Sequence, residues 1–275
     1  MLTIPKLARV FKAYPFVFLF LILSLFSVRS FAQSWDLGGF VGGAAYMGDL
    51  NPVNPLKVNN LAFGAQIKRC FNPYWALKLA LTRGKVEAYD ADSSDPFARQ
   101  RNLNFYSALT EVSLQTEFNF FNYVPSSSKK LYTPFLFAGL GLVGFNPKTE
   151  MNGETYELRN YGTEGQNPSV PYRNYAVTLP FGAGVKFNVK GNWSLIAEAG
   201  YRTAFSDYLD DVSKTYPDPA KSSPITMDLA DRSAPIKIGF PYSQRGDNRS
   251  RDSYMFVGLS LTYSIFKNGC PVVAY

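Results

Sequence analysis

The sequence predicts an all-β fold, an eight-stranded antiparallel transmembrane β-barrel with long extracellular loops. Three observations predict it. Long stretches alternate apolar and polar residues with the two-residue period of a strand. The connections between those stretches alternate short and long, which sorts turns to one end and loops to the other. The chain also opens like an exported protein and then shows no second apolar stretch of helical-span length. Any membrane crossing would therefore fall to a closed barrel, because only helices and closed barrels satisfy every backbone group in lipid.

Export is read from residues 1–32. Lys6, Arg9 and Lys12 precede the apolar run FVFLFLILSLF at 16–26, and Ser30 and Ala32 supply the small residues before Gln33. A basic start, a short apolar run and a small-x-Ala end make a signal peptide cleaved after Ala32. The run falls short of the ~20 apolar residues of a membrane helix. Four of the 28 basic residues lie in this segment, leaving 24 against 21 acidic ones, a net charge of +3 rather than +7. The basic balance of the whole chain therefore does not imply a nucleic-acid partner. Residues 33–275 show no repeat, linker or low-complexity tract and read as one barrel domain.

Eight strands are expected at about 36–48, 61–71, 74–87, 105–121, 132–146, 174–189, 193–205 and 253–267. In the fourth, Val112, Leu114, Thr116, Phe118 and Phe120 oppose Glu111, Ser113, Gln115, Glu117 and Asn119. In the sixth, Tyr175, Val177, Leu179, Phe181, Val185, Phe187 and Val189 oppose a polar face carrying Thr178, Lys186 and Asn188. The seventh sets Trp193, Leu195, Ala197, Ala199 and Tyr201 against Ser194, Glu198 and Arg202. The eighth sets Met255, Val257, Leu259, Leu261, Tyr263 and Ile265 against Gly258, Ser260, Thr262 and Ser264. The first and fifth strands alternate less clearly, because glycine or apolar residues fill both faces. Links near 72–73, 122–131 and 190–192 are short; those near 49–60, 88–104, 147–173 and 206–252 are long and polar. That sorting places the termini in the periplasm and the long loops outside. Phe71, Tyr74, Trp75, Phe120 to Tyr123, Tyr172, Tyr175, Trp193 and Phe266 crowd strand ends, as interfacial aromatic girdles do.

With the apolar faces toward lipid, the polar faces line an interior just wide enough for its own side chains. Lys68, Lys78, Lys186 and Arg202 then face Glu111, Glu117 and Glu198, and a salt-bridged plug is expected, since unpaired charges there are costly.

The absence of histidine removes the commonest metal ligand and general base, and no catalytic residue, metal ligand, cofactor or small-molecule substrate is assigned. Asp207, Asp210 and Asp211 are the densest acidic group. They read as a solvated helix start, capped by Ser206 and matched to the helix dipole. The glycine-rich pieces GGFVGG and GLGLVG lie within strands, without the following helix of a phosphate loop. Cys70 and Cys270 both fall at periplasmic strand ends, where a disulfide to each other, a bond to a partner, or two inert thiols are all compatible with the pattern.

Several stretches resemble a known family. WDLGGFVGGAAYMGDLN (35–51), the segments 61–95 and 99–123, YTPFLFAGLGLVGFNP (132–147) and YRTAFSDYLDDVSKTYPDP (201–219) are similar to the PorG-like outer-membrane barrels of the Bacteroidota type IX secretion system. The most specific pieces are Gly48, Asp49, Leu50 and Asn51, the RNLNF-to-EFNF stretch, and FSDYLDDVS with Asp207, Tyr208, Asp210 and Asp211. The loop 220–252 and the tail after Lys267 depart from the family pattern. The resemblance implies a non-enzymatic barrel in protein secretion, docked on a periplasmic ring of PorK- and PorN-like proteins. A general small barrel for adhesion or envelope integrity is the alternative, and a lipid-modifying enzyme is disfavoured by the missing histidine.

Overall fold

The structure, a computed structural model, describes residues 34–266 apart from 53, 55, 56, 127, 128 and 248. The expected signal peptide, the C-terminal tail and Cys270 lie outside the described residues. In chain order the strands are β1 (Ser34–Met47), β2 (Val58–Cys70), β3 (Trp75–Tyr89), β4 (Asn104–Asn119), β5 (Tyr132–Gly144), β6 (Pro147–Met151), β7 (Glu154–Glu157), β8 (Tyr175–Lys190), β9 (Trp193–Ala204) and β10 (Ser253–Phe266).

Eight of these close on themselves. Antiparallel neighbours run β3-β2-β1-β10-β9-β8-β5-β4, and β3 pairs with β4 to complete the ring. The seam between first and last strands is continuous from Ser34↔Phe266 to Met47↔Ser253. One circuit of the ring from Ala44 passes Phe256, Gly200, Gly182, Phe137, Glu117, Ala76 and Cys70 and returns to Ser34. The circuit thus returns about ten residues away from its origin, a stagger that tilts the strands strongly and fixes the barrel width.

The alternation decides what each side chain meets. On β4 the residues Glu111, Ser113, Gln115, Glu117 and Asn119 are buried, whereas Val112 and Leu114 are exposed outside. On β8, Val177, Leu179, Phe181, Phe187 and Val189 all face outward. Leu61, Leu140 and Leu261 continue this belt around the cylinder. A polar interior inside an apolar exterior inverts the polarity of a water-soluble barrel. Near the short-turn end, outward aromatics pair across strands: Trp75 with Phe118 at 4.9 Å, Tyr132 with Phe187 at 6.3 Å and Trp193 with Tyr263 at 5.0 Å between ring centroids.

The link between β5 and β8 is more structured than the alternation suggests. It holds the β6–β7 hairpin, which extends the sheet beyond β4 through Tyr106↔Lys148. Asn152 and Gly153 form its two-residue turn with φ of 54° and 82°, and Asn-Gly supplies the positive φ that such a hairpin turn needs. Two short helices also stand in the loops: α1 (Pro96–Arg101) and α2 (Pro224–Ala230). Each starts with proline after a capping residue, Asp95 accepting from Phe97 N at 3.0 Å and Ser223 from Thr226 N at 3.2 Å.

The expectation of a helix around the aspartate run is corrected. Residues 206–213 form no helix, and Asp210 and Asp211 are not solvated; both are fully buried. Their side-chain partners, Tyr46, Thr163 and Tyr172, come from distant parts of the chain, so no neighbouring side chain signals their burial.

Candidate functional site

Two polar clusters occupy the axis of the barrel. The lower one fills the lumen. Glu117, on β4, receives Lys186 from β8 at 2.6 Å, Lys68 from β2 at 2.7 Å and Lys78 from β3 at 3.3 Å. Lys78 also meets Glu198 on β9 at 3.1 Å. One layer higher, Glu111 accepts from the Tyr254 hydroxyl at 2.5 Å and faces Arg202 Nε at 3.5 Å. The seven charged residues read from strand parity thus lie in the interior and in contact within two groups.

Aromatic rings complete the packing. Lys186 Nζ lies 4.5 Å from the Phe135 ring centre, Lys78 Nζ 4.7 Å from Phe137, and the Arg202 guanidinium 4.7 Å from Phe256. Each cation is held between a carboxylate and a π face, a favourable site for a desolvated charge. The rings fit because glycine lines the wall beneath them. A Cβ on Gly200 would stand 2.6 Å from Phe137 Cζ, and one on Gly182 2.7 Å from the same atom. At the short-turn end Tyr123, only 8% exposed, turns inward and bonds Ser194 Oγ at 2.7 Å, so it closes the mouth instead of joining the outer girdle.

The upper cluster seals the loop end. Arg101, at the end of α1, grips Asp90 with Nε at 2.7 Å and Nη2 at 2.8 Å. Its remaining contacts reach the Arg245 carbonyl at 2.7 Å and the Asp49 carbonyl at 3.2 Å. Arg245 in turn donates to Glu164 at 3.2 Å and to the Asp211 carbonyl at 2.6 Å. Asp211 accepts from Tyr172 at 2.7 Å and from Thr163, while Asp210 accepts from Tyr46 at 2.6 Å. Tyr208 stacks on Tyr172 with centroids 4.4 Å apart. Packed with these polar groups, Leu50, Leu103, Phe105, Leu209, Val212 and Leu229 belong to one buried apolar cluster. The loops between β1 and β2, β3 and β4, β5 and β8, and β9 and β10 are therefore tied into one cap.

The segment Gly48–Asn51 is a tight turn at the centre of this cap. Gly48 and Asn51 exchange backbone hydrogen bonds at 3.3 and 3.1 Å, and the Asn51 amide donates to the Tyr46 carbonyl at 2.6 Å. A Cβ at position 48 would lie 2.0 Å from the Tyr46 hydroxyl and 2.1 Å from Asp252 Oδ1, so only glycine fits. Asp252, missed by the sequence reading, accepts from Tyr46 at 3.0 Å and from Leu209 N at 2.9 Å.

Carboxylate oxygens of Asp49, Asp207 and Asp252 all lie within 4.8 Å of one another. Burial, with repulsion from Asp247 and Asp207, raises Asp49 to about 7. Burial raises Asp207 to about 6 and pushes Asp210 and Asp252 well above the ordinary carboxylate range, with mutual repulsion adding to it. Burial also lifts Asp211 to about 6 against the pull of Arg245. Shared protons relieve such crowding, and an oxygen-preferring cation is the other species suited to these three carboxylates. At the opposite end, the Cys70 thiol donates to Asp36 at 3.4 Å; its pairing with Cys270 falls outside the described residues.

The chain belongs to the DUF6089 family, a domain of unknown function, whose model matches residues 14–274. No curated protein matches it. Among solved structures it is similar to the N-terminal β-barrel domain of Pseudomonas aeruginosa OprF, at 14% identity over 84% of this chain and 97% of that one, with a TM-score of 0.37. Ail, the attachment invasion locus protein of Yersinia pestis, in complex with the heparin analogue sucrose octasulfate, matches at 12% identity over 86% and 99%, with a TM-score of 0.39. A major outer membrane protein of Thermus thermophilus matches at 12% over 85% and 100%, with a TM-score of 0.38. At these values the barrel assignment rests on the strand pairings themselves.

Proposed function

We propose that this DUF6089-family chain is a plugged, non-enzymatic outer-membrane barrel that serves as a structural component of the type IX protein secretion machinery. The observation that carries the barrel reading is the inverted polarity of the cylinder: an apolar outer belt around an interior filled by ion pairs. Charges on the axis and a lipid-compatible exterior fit a membrane barrel, and the filled lumen argues against passage of folded cargo. Buried carboxylates alone do not supply a reaction; Asp210, Asp211 and Asp252 are engaged in hydrogen bonds to tyrosine, threonine and backbone groups.

The secretion role is supported by the sequence resemblance through Gly48–Asn51 and FSDYLDDVS. In that reading the barrel acts by docking. Its periplasmic turns, around Asn72–Pro73, Val124–Lys130 and Lys190–Asn192, present the surface to PorK- and PorN-like ring proteins. A clean deletion should leave type IX substrates in the periplasm with the outer membrane intact, and normal secretion would sink the assignment. A second reading, an envelope or adhesion barrel, is favoured by the cap. Its loops are interlocked by buried polar contacts at the end of the barrel opposite the short turns. Loss of surface attachment with normal secretion would select that reading.

A further inference from the structure

On the outer surface at the loop end, where β8, β9 and β10 adjoin, lies a cleft of about 690 Å³. Its floor is apolar. Phe205 continues β9 and stands beside Val177, its N–H donating to the Val177 carbonyl at 2.9 Å. Both side chains point outward, in line with Leu179 and Tyr201 on the belt below. Tyr175 extends this floor upward.

Its rim is cationic. Arg173 lines the cleft, its guanidinium 5.9 Å from the Tyr175 ring centre, and Arg251, just before β10 and outside the lining itself, adjoins it through the Phe205 ring, 4.4 Å from the ring centre. Lys214 stands on the facing loop. Several other cations at this end are neutralised, Lys57 by Asp92 at 2.6 Å, Lys85 by Glu87 at 2.9 Å and Lys148 by Glu157 at 2.6 Å, while Arg159 and Arg232 are spent on carbonyl and hydroxyl oxygens. Arg249, which also lines the cleft, pairs with Asp247 at 3.3 Å. Arg173, Lys214 and Arg251 are exposed and have no ion pair among the described residues. The Asp207 carboxylate in the wall is turned to Ser213 Oγ at 2.7 Å.

We propose that this cleft binds a phosphorylated glycolipid of the outer leaflet, with an acyl chain against Val177 and Phe205 and a phosphate held by Arg173, Lys214 and Arg251. This rests on the reading of the chain as an outer-membrane barrel with its long loops outside. Two features single out a lipid over a soluble anion. The cations sit directly above an apolar floor that continues the belt, the level at which lipid phosphates lie. Two of the three are guanidinium forks, which match phosphate oxygens in pairs.

The test uses the refolded full-length barrel in detergent, with bisphosphorylated lipid A as probe and binding read by native mass spectrometry. Dephosphorylated lipid A, and inorganic phosphate as competitor, form the other arms. Half-saturation should come at about tenfold lower concentration for the bisphosphorylated lipid, and that preference should vanish in the Arg173→Gln, Lys214→Gln, Arg251→Gln triple variant. Equal retention of the two lipids by the wild type overturns the proposal whatever the variant's folding, and so does an unchanged preference in a variant of normal heat-modifiable mobility. Displacement by millimolar phosphate would reassign the cleft to free anions. Insertion of the wild type into vesicles is scored separately. A barrel that inserts without discriminating the lipids refutes the cleft alone, whereas one that fails to insert refutes the membrane reading.

Discussion

Replacing Glu117 with glutamine removes the carboxylate on which three strands converge. Lys68 and Lys186 have no other ion-pair partner among the described residues, whereas Lys78 keeps Glu198. At separations of 2.6 and 2.7 Å and an effective dielectric constant of ~20, each lost pair has a gross attraction of about 6 kcal/mol. Most of that only offsets the desolvation of the charges. The expected net loss is therefore about 3–5 kcal/mol, the cost of leaving buried charge uncompensated. Equilibrium urea unfolding of the barrel in lipid vesicles, followed by heat-modifiable mobility, measures it. The paired substitution Glu117→Gln with Lys68→Met should recover part of the loss, because it removes one of the two orphaned ammonium groups. A single variant within about 1 kcal/mol of wild type, or a double variant worse than the single one, would refute the view that these contacts are coupled buried ion pairs.

Leu114→Arg, on the outer face of β4 and half exposed there, should cost about 2–4 kcal/mol in vesicles if its site is near the bilayer midplane; a neutral result would displace the lipid belt from this face. A cysteine at Lys221, in the long loop, should react with an impermeant thiol reagent on intact cells while one at Lys129 does not, and the opposite labelling would invert the orientation. The cap should also respond to pH. Asp49, whose ordinary value is 3.8, is raised to about 7 when folded. The folded cap therefore binds more protons than the unfolded loops across that window, and its stability must fall as pH rises through it. Amide exchange in residues 208–213, corrected for intrinsic rate, should be about tenfold slower at pH 5 than at pH 8; equal or greater protection at pH 8 would contradict the raised carboxylates.

The barrel was legible in the sequence wherever one face is apolar and the other polar, as on β4, β8, β9 and β10. Once lipid lies outside, the same parity assigns Lys68, Lys78, Lys186, Arg202 and the three glutamates to the lumen. β1 and β5 read poorly because their inward faces carry aromatics, Phe40, Phe135 and Phe137, that lie over Gly258, Gly184, Gly182 and Gly200 of neighbouring strands, a cross-strand relation that no single strand displays. The β6–β7 hairpin had a local cue in Asn152–Gly153, and α1 and α2 had theirs in Asp95–Pro96 and Ser223–Pro224. The cap had none. Asp210 meets Tyr46 across 164 residues, and Arg101 meets the Arg245 carbonyl across 144. A run of aspartates looks the same locally whether it faces water or a tyrosine hydroxyl.

The placement of the lumen charges also constrains how the chain can enter a bilayer. The β2–β3 hairpin brings Lys68 and Lys78 inward, the β4–β5 hairpin Glu111 and Glu117, and the β8–β9 hairpin Lys186, Arg202 and Glu198. Asp36 on β1 supplies the remaining negative charge. None of the three hairpins is neutral on its inner face, and a charged side chain facing hydrocarbon costs several kcal/mol. A half-inserted sheet would expose those charges along open edges that also lack hydrogen-bond partners. Insertion hairpin by hairpin is therefore disfavoured at every intermediate step. The low-cost route is concerted, with the strands gathered before they cross and β10 closing on β1 as the interior reaches neutrality. A nascent chain that stops short of Ser253 should accordingly stay on the near side of the membrane, since the strand that completes the ring is the last to be made.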